Sequence, residues 1–130
     1  MFLEDNLLGK YNKTEAHYPP QPSVVFTLPN VASIGLSEQQ AKDRGFDYVV
    51  NHKSAPSWFN SKRIANRHYA FKVIKDKKTE QVLGAHLVGP EAGEMINMFV
   101  MAMCGGLSCK DLKAMIFAYP TWSNDIKGMT

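Results

Sequence analysis

Between Ala92 and Met103 the chain is apolar on almost every side of a helix. Met95, Ile96, Phe99, Val100 and Met103 recur at helical spacing and form one stripe, while Met98, Met101, Ala102 and Cys104 leave little polar surface opposite. Gly105-Gly106 stops the helix. Such a helix must be covered on both sides. A sheet covers only one, so the expected second layer is another subunit or a domain outside this sequence, with the chain's own loops as the alternative.

With 130 residues, 45% of them hydrophobic, the chain suits one domain with a real core. Its formal net charge of +3 is spread along the chain, with Lys and Arg interleaved with Asp and Glu. The densest cluster, Lys75-Asp76-Lys77-Lys78, falls in a predicted turn, and no basic stripe with stacking aromatics follows, so nucleic acid is not an expected partner. Two cysteines and no signal peptide point to a reducing cytoplasm. The longest apolar run, Met98 to Cys104, is too short for a membrane span.

Taken in order, Met1 to Pro22 reads as a connector. A scrap of apolar helix (Phe2, Leu3, Leu7, Leu8) ends at Gly9, and Tyr18-Pro19-Pro20-Gln21-Pro22 cannot continue it. Ser23 to Thr27 is a buried strand and Ala32 to Leu36 a second extended piece. Ser37-Glu38-Gln39-Gln40 is a capping box, with Gly45 closing the helix it opens. Asp47 to Lys53 is a strand, and Ser54 to Arg67 reads as irregular, with Trp58-Phe59 its only large apolar pair. Trp58 with Arg63 and Arg67 offers an anion or aromatic surface, but packing is the simpler role. Tyr69 to Lys75 and Gln81 to Val88 form a hairpin with Tyr69, Phe71 and Val73 inward on one arm and Leu83, Ala85 and Leu87 on the other. Ser108 to Met115 is a shorter helix. The order predicts an α+β fold: an antiparallel sheet of four to five strands with helices on one face.

Near the end, Pro120 forces Tyr119 out of helical geometry, and Ser123-Asn124-Asp125 reads as a cap opening a short final helix. An extended aromatic is presented just before a helix start. Ala118-Tyr119-Pro120-Thr121-Trp122-Ser123-Asn124 resembles the His-Pro-Thr-x-Ser-Glu signature in the C-terminal dimerisation (interface) domain of the pyridine nucleotide-disulfide oxidoreductases, the family of glutathione reductase, dihydrolipoamide dehydrogenase and mercuric reductase. Val24 to Pro29, Ile34-Gly35-Leu36-Ser37-Glu38 and Leu83 to Ile96 resemble further segments of that domain, in the same order over roughly residues 22–126.

The resemblance implies a homodimer in which two N-terminal domains, absent from this sequence, bind FAD and NAD(P)H. Residues 22–130 would be the dimerisation domain, and 1–21 a connector with the remnant of an FAD-domain helix. Without a Gly-x-Gly-x-x-Gly the chain alone is expected to bind neither dinucleotide and to be inactive. Tyr119 stands where the family has its catalytic His, and Asn124 where it has Glu. That His-Glu pair shuttles protons near neutral pH, which a phenol titrating near pH ~10 cannot copy. Tyr119 is therefore expected to pack at the flavin edge, with the backbone of Tyr119 and Pro120 reaching the partner's flavin. Asp125 is a weak replacement for the Glu, since adjacent helix residues point about 100° apart.

Cys104 and Cys109 share the spacing of the family's redox pair. Cys104 ends an apolar helix, however, and Lys110 follows Cys109, so both read as structural thiols. His17, His52, His68 and His86 lie in separate elements without ligand spacing, and no metal site is expected. The expectation is an FAD-dependent, NAD(P)H-linked disulfide oxidoreductase domain. The alternatives are a flavoprotein of the same family that reduces no disulfide (an oxidase, quinone reductase or transhydrogenase) and a free-standing interaction module.

Overall fold

Five runs in which apolar residues alternate with polar ones build one antiparallel sheet. In the computed structural model, which describes residues 18–130, they are β1 (Ser23–Val25), β2 (Asn30–Gly35), β3 (Tyr48–Ser54), β4 (Ala70–Asp76) and β5 (Val82–Gly89). Their spatial order is β1-β2-β5-β4-β3. The predicted helix ending at Gly9 lies outside the described residues. Alternation sorts Ala32, Ile34, Phe71, Val73, Ala85 and Leu87 to one face, where they form the main core.

The hairpin departs from the expected phase at one place. The β4–β5 register pairs Ile74 with Gly84 but Lys75 with Val82, so Leu83 is an extra residue in the ladder. Val82 enters the core and Leu83 is only half-buried. Gly84 belongs to the same feature. A Cβ there would overlap the Leu36 carbonyl, so the end of β2 can close on β5 only over a glycine.

Helix α1 (Glu38–Asp43) opens with the predicted capping box. Ser37 Oγ accepts from the Gln40 amide at 3.2 Å, and the Ser37 amide donates to Gln40 Oε1 at 2.8 Å. Lys72 alternates with Phe71 and Val73, and its ion pair with Glu38 at 3.0 Å places α1 on the sheet face opposite the core. A second helix was not foreseen. Phe59–Arg63, here α2, is a short turn inside the segment read as irregular. Its apolar content is too small for a periodic signal.

The long helix α3 spans Ala92–Gly105 and lies over β2 and β5, ending on Gly106 in the left-handed conformation (φ 68°). Its core contacts come from Ala92, Met95, Ile96, Phe99 and Ala102. Val100 and Met103, expected at the centre of the stripe, are half-buried at its flank, and so is Met98. The open side carries Glu94, Asn97, Met101 and Cys104, with Met101 63% exposed. That is the side the sequence leaves without a second layer. Helix α4 (Cys109–Ala114) follows, capped by Ser108 and Asp111. The chain closes with a 3-10 turn (Trp122–Asp125) and α5 (Ile126–Met129), whose Ile126 and Met129 are fully buried. Among the described residues no helix is long and apolar enough to cross a membrane.

Candidate functional site

The Tyr119–Pro120 peptide is cis, and the residues after it hold the turn. Thr121, not Ser123, is the cap. Its backbone is extended, its Oγ1 accepts from the Asn124 amide at 3.3 Å, and its hydroxyl donates to the Ala118 carbonyl at 2.6 Å. Threonine thus closes the loop across Pro120, and Ser123 falls inside the 3-10 turn. The Tyr119 side chain projects outward, 68% exposed, with its ring 5.7 Å from that of Phe59. It is an aromatic surface with a hydroxyl at its tip.

Asp125 points the other way. Its Oδ2 accepts from the Tyr69 hydroxyl at 3.1 Å, and both carboxylate oxygens lie 3.4 Å from Asn60 Nδ2. Among the described residues no cation pairs with it. Burial raises the Asp125 carboxyl above its ordinary range, although the Asn60 and Tyr69 hydrogen bonds oppose that rise. The Tyr69 hydroxyl is pushed up as well, first by burial, then by the Asp125 charge and the hydrogen bond between them. Tyr119 and Asp125 are therefore separated by the turn they share, the one facing out and the other holding the turn to the core. They make no acid-base pair.

The template for this segment lies in and beside α2. The Trp58 ring packs on Phe71 at 5.3 Å and edge-on to Tyr69 at 6.0 Å, which settles it as a packing residue. A Cβ on Gly128 would come within 2.6 Å of the same ring. Asn60, only 1% exposed, donates to the Thr121 carbonyl at 3.0 Å. The Asn60–Thr121 and Trp58–Gly128 contacts join residues 61 and 70 positions apart, so local pattern carries no trace of them. The Trp58-Phe59 pair in a polar stretch is the only signal.

The remaining candidates stay apart. Cys104 is exposed and Cys109 buried, unbonded to each other, and burial pushes the Cys109 thiol up. His86 Nε2 donates to the Leu36 carbonyl at 3.1 Å, and among the described residues no group of His, Cys, Asp or Glu could hold a metal ion.

The fold thus presents a five-stranded antiparallel sheet, a long helix open on one side and an outward aromatic on a turn. The family model for the pyridine nucleotide-disulphide oxidoreductase dimerisation domain matches residues 21–130, and the chain belongs to that family. A Staphylococcus aureus protein described as an uncharacterized 19.7 kDa protein in a mercuric resistance operon is 48% identical over 127 residues, covering 98% of this chain and 70% of that protein. Mitochondrial dihydrolipoyl dehydrogenase of Sus scrofa is 41% identical over 102 residues, 78% of this chain but 20% of the enzyme. Among solved structures, the HOCl-induced flavoprotein disulfide reductase RclA of Escherichia coli superposes with a TM-score of 0.86 at 29% identity, over 98% of this chain and 29% of RclA. The chain thus spans about a fifth to a third of these full-length reductases.

Proposed function

We propose that this chain is the dimerisation domain of an FAD-dependent, NAD(P)H-linked disulfide oxidoreductase, that it pairs with a second copy through the open side of α3, and that its Tyr119-Pro120 turn caps the partner subunit's flavin site. The observation that carries the reading is the turn itself: an exposed aromatic on a turn held from inside by the Asn60–Thr121 and Tyr69–Asp125 hydrogen bonds. The sequence has no Gly-x-Gly-x-x-Gly, so flavin and nucleotide would be held by other domains. FAD, when bound there, carries electrons between the nicotinamide and the acceptor. This chain's part is to shield the flavin edge with the Tyr119 ring and to offer a backbone carbonyl and a phenolic hydrogen bond. Tyr119 is not placed to exchange protons with Asp125, which distinguishes this turn from a His-Glu couple.

The test is a transplant. Residues 22–130 are joined to the flavin and nucleotide domains of an RclA-type reductase in place of its own C-terminal domain. A flavin-retaining dimer supports the reading, and a colourless or monomeric product contradicts it. A second reading, a free-standing interaction module, is favoured by one observation: the Staphylococcus aureus relative, at 19.7 kDa, is itself far smaller than the enzymes of which this chain matches a fifth. The module reading expects self-association without any gain of flavin in the transplant. Paired cysteines in the flavin domain of the natural full-length protein would separate a disulfide reductase from a related oxidase or quinone reductase.

A further inference from the structure

We propose that Asn60 is the positioning residue for the Tyr119-Pro120 turn, and that Phe59 beside it sets the direction of the Tyr119 ring. The proposal deepens the capping reading above and rests on it for its functional meaning, but the clasp itself is measurable on this chain alone. Three oxygens surround Asn60 Nδ2: the Thr121 carbonyl at 3.0 Å and the two carboxylate oxygens of Asp125, each at 3.4 Å. One amide therefore bridges both ends of the segment Thr121 to Asp125. Its neighbour Phe59 is half-exposed and meets the exposed Tyr119 ring at 5.7 Å. Consecutive residues of α2 thus grip the turn from inside and outside.

The chemistry requires a hydrogen-bond donor at position 60, which the Asn60 amide supplies. The three acceptors are a carbonyl and a carboxylate, so a donor without negative charge must stand between them. Leucine fills the same space and donates nothing. Aspartate would add a second carboxylate beside the half-buried one of Asp125. The carbonyl end of Asn60 makes no hydrogen bond, so its placement is dictated by the donor end alone. An exposed aromatic on a surface turn has no other reason to hold one orientation. A clasp of this kind makes the orientation a fixed property of the free domain, before any flavin is met.

Labelling with 3-fluorotyrosine, with the Tyr119 line assigned through Tyr119→Phe, reads the ring directly. In Asn60→Leu and in Phe59→Ala the Tyr119 fluorine line is expected to move toward its value in the unfolded chain, while the Tyr48 line keeps its position. In Asn60→Leu, hydrogen exchange at the Asn124 amide is expected to speed up about tenfold or more, the loss of a hydrogen bond to a charged group, with Phe71 and Ala85 amides unchanged. A wild-type Tyr119 line in both variants, or equal acceleration at Asn124, Phe71 and Ala85, overturns the proposal. Should Asn60→Leu fail to fold, the wild-type chain decides. The Asn60 side-chain amide protons are expected to exchange far more slowly than those of exposed Asn97, and equal rates overturn the clasp. A transplant that fails to retain flavin would remove the capping role without touching any of these readouts.

Discussion

The Tyr69 hydroxyl donates to Asp125 Oδ2 across 3.1 Å, linking the start of the central hairpin to a residue 56 positions later. The bond is made in a setting of rings, with Trp122 edge-on to Tyr69 at 5.2 Å and the Met95 sulfur 3.6 Å from its hydroxyl. Through it the last turn of the chain is fastened to the sheet and to α3 at once. Tyr69→Phe keeps the ring contacts and removes the donor. It is expected to cost about 2 kcal/mol, the range for a hydrogen bond to a charged group, seen as a lower urea midpoint with an unchanged slope.

Burial of the Asp125 carboxyl, against the pull of that bond, gives the chain an uncommon pH dependence. Asp125 has a folded pKa above its unfolded one, so its contribution to stability is fully present below the unfolded value, near pH ~4, and is lost as pH rises through the folded value. Asp76 and Asp111 have the opposite sign: their carboxyls are lowered, by Thr79 and Ser108 respectively, and their contribution is lost as pH falls. The two windows adjoin near pH ~4, so the lowered carboxyls shape the limb below it and Asp125 the limb above it. Asp125→Asn is expected to remove the fall of stability with pH above ~4 while leaving the limb below it as in the wild type, and an unchanged slope above ~4 would contradict the assignment.

At the alkaline end Tyr69 governs. The folded state keeps its hydroxyl protonated above the pH, ~10, at which the unfolded chain ionises it, so stability falls as pH rises past that point. In Tyr69→Phe this loss should be smaller, as thermal melts across the alkaline range will show.

Gly128 is set by the Trp58 ring, which leaves no room for a methyl group. Gly128→Ala should destabilise the chain by about 1–3 kcal/mol through overpacking and shift the tryptophan emission. A melt and spectrum identical to wild type would show that α5 does not seat against Trp58.

Cys109 is expected to react with a thiol reagent only after unfolding, since it is buried and its thiol is pushed up. Two thiols reacting rapidly in the native chain would refute this.

Much of the scaffold was legible because it rests on local rules. The Ser37–Gln40 capping box, the glycine stops and the alternation of Tyr69, Phe71 and Val73 each follow from residues within a few positions of one another. The errors came where geometry depends on distant partners. Leu83 lost its core place to Val82 because the ladder takes up one extra residue, which alternation alone cannot register. Thr121 rather than Ser123 is the cap, and it opens the 3-10 turn Trp122–Asp125, because the loop closes back on Ala118. Pro120 marks Tyr119 as an extended aromatic and alternation turns Tyr69 inward, but nothing local shows that Asn60 and Tyr69 hold the turn. Their partners lie 61 and 56 residues away.

The open side of α3 is expected to join two copies of this chain. Interfaces of the permanent kind bury about 2,000 Å² or more, and Met101, the exposed apolar residue of α3, should lie within the seam. Size-exclusion chromatography with light scattering on the wild type and on Met101→Glu measures this directly. The expected result is a wild-type mass of two chains and a folded Met101→Glu of one. A wild type that remains a single chain at high concentration, or a Met101→Glu that still pairs, would contradict the account.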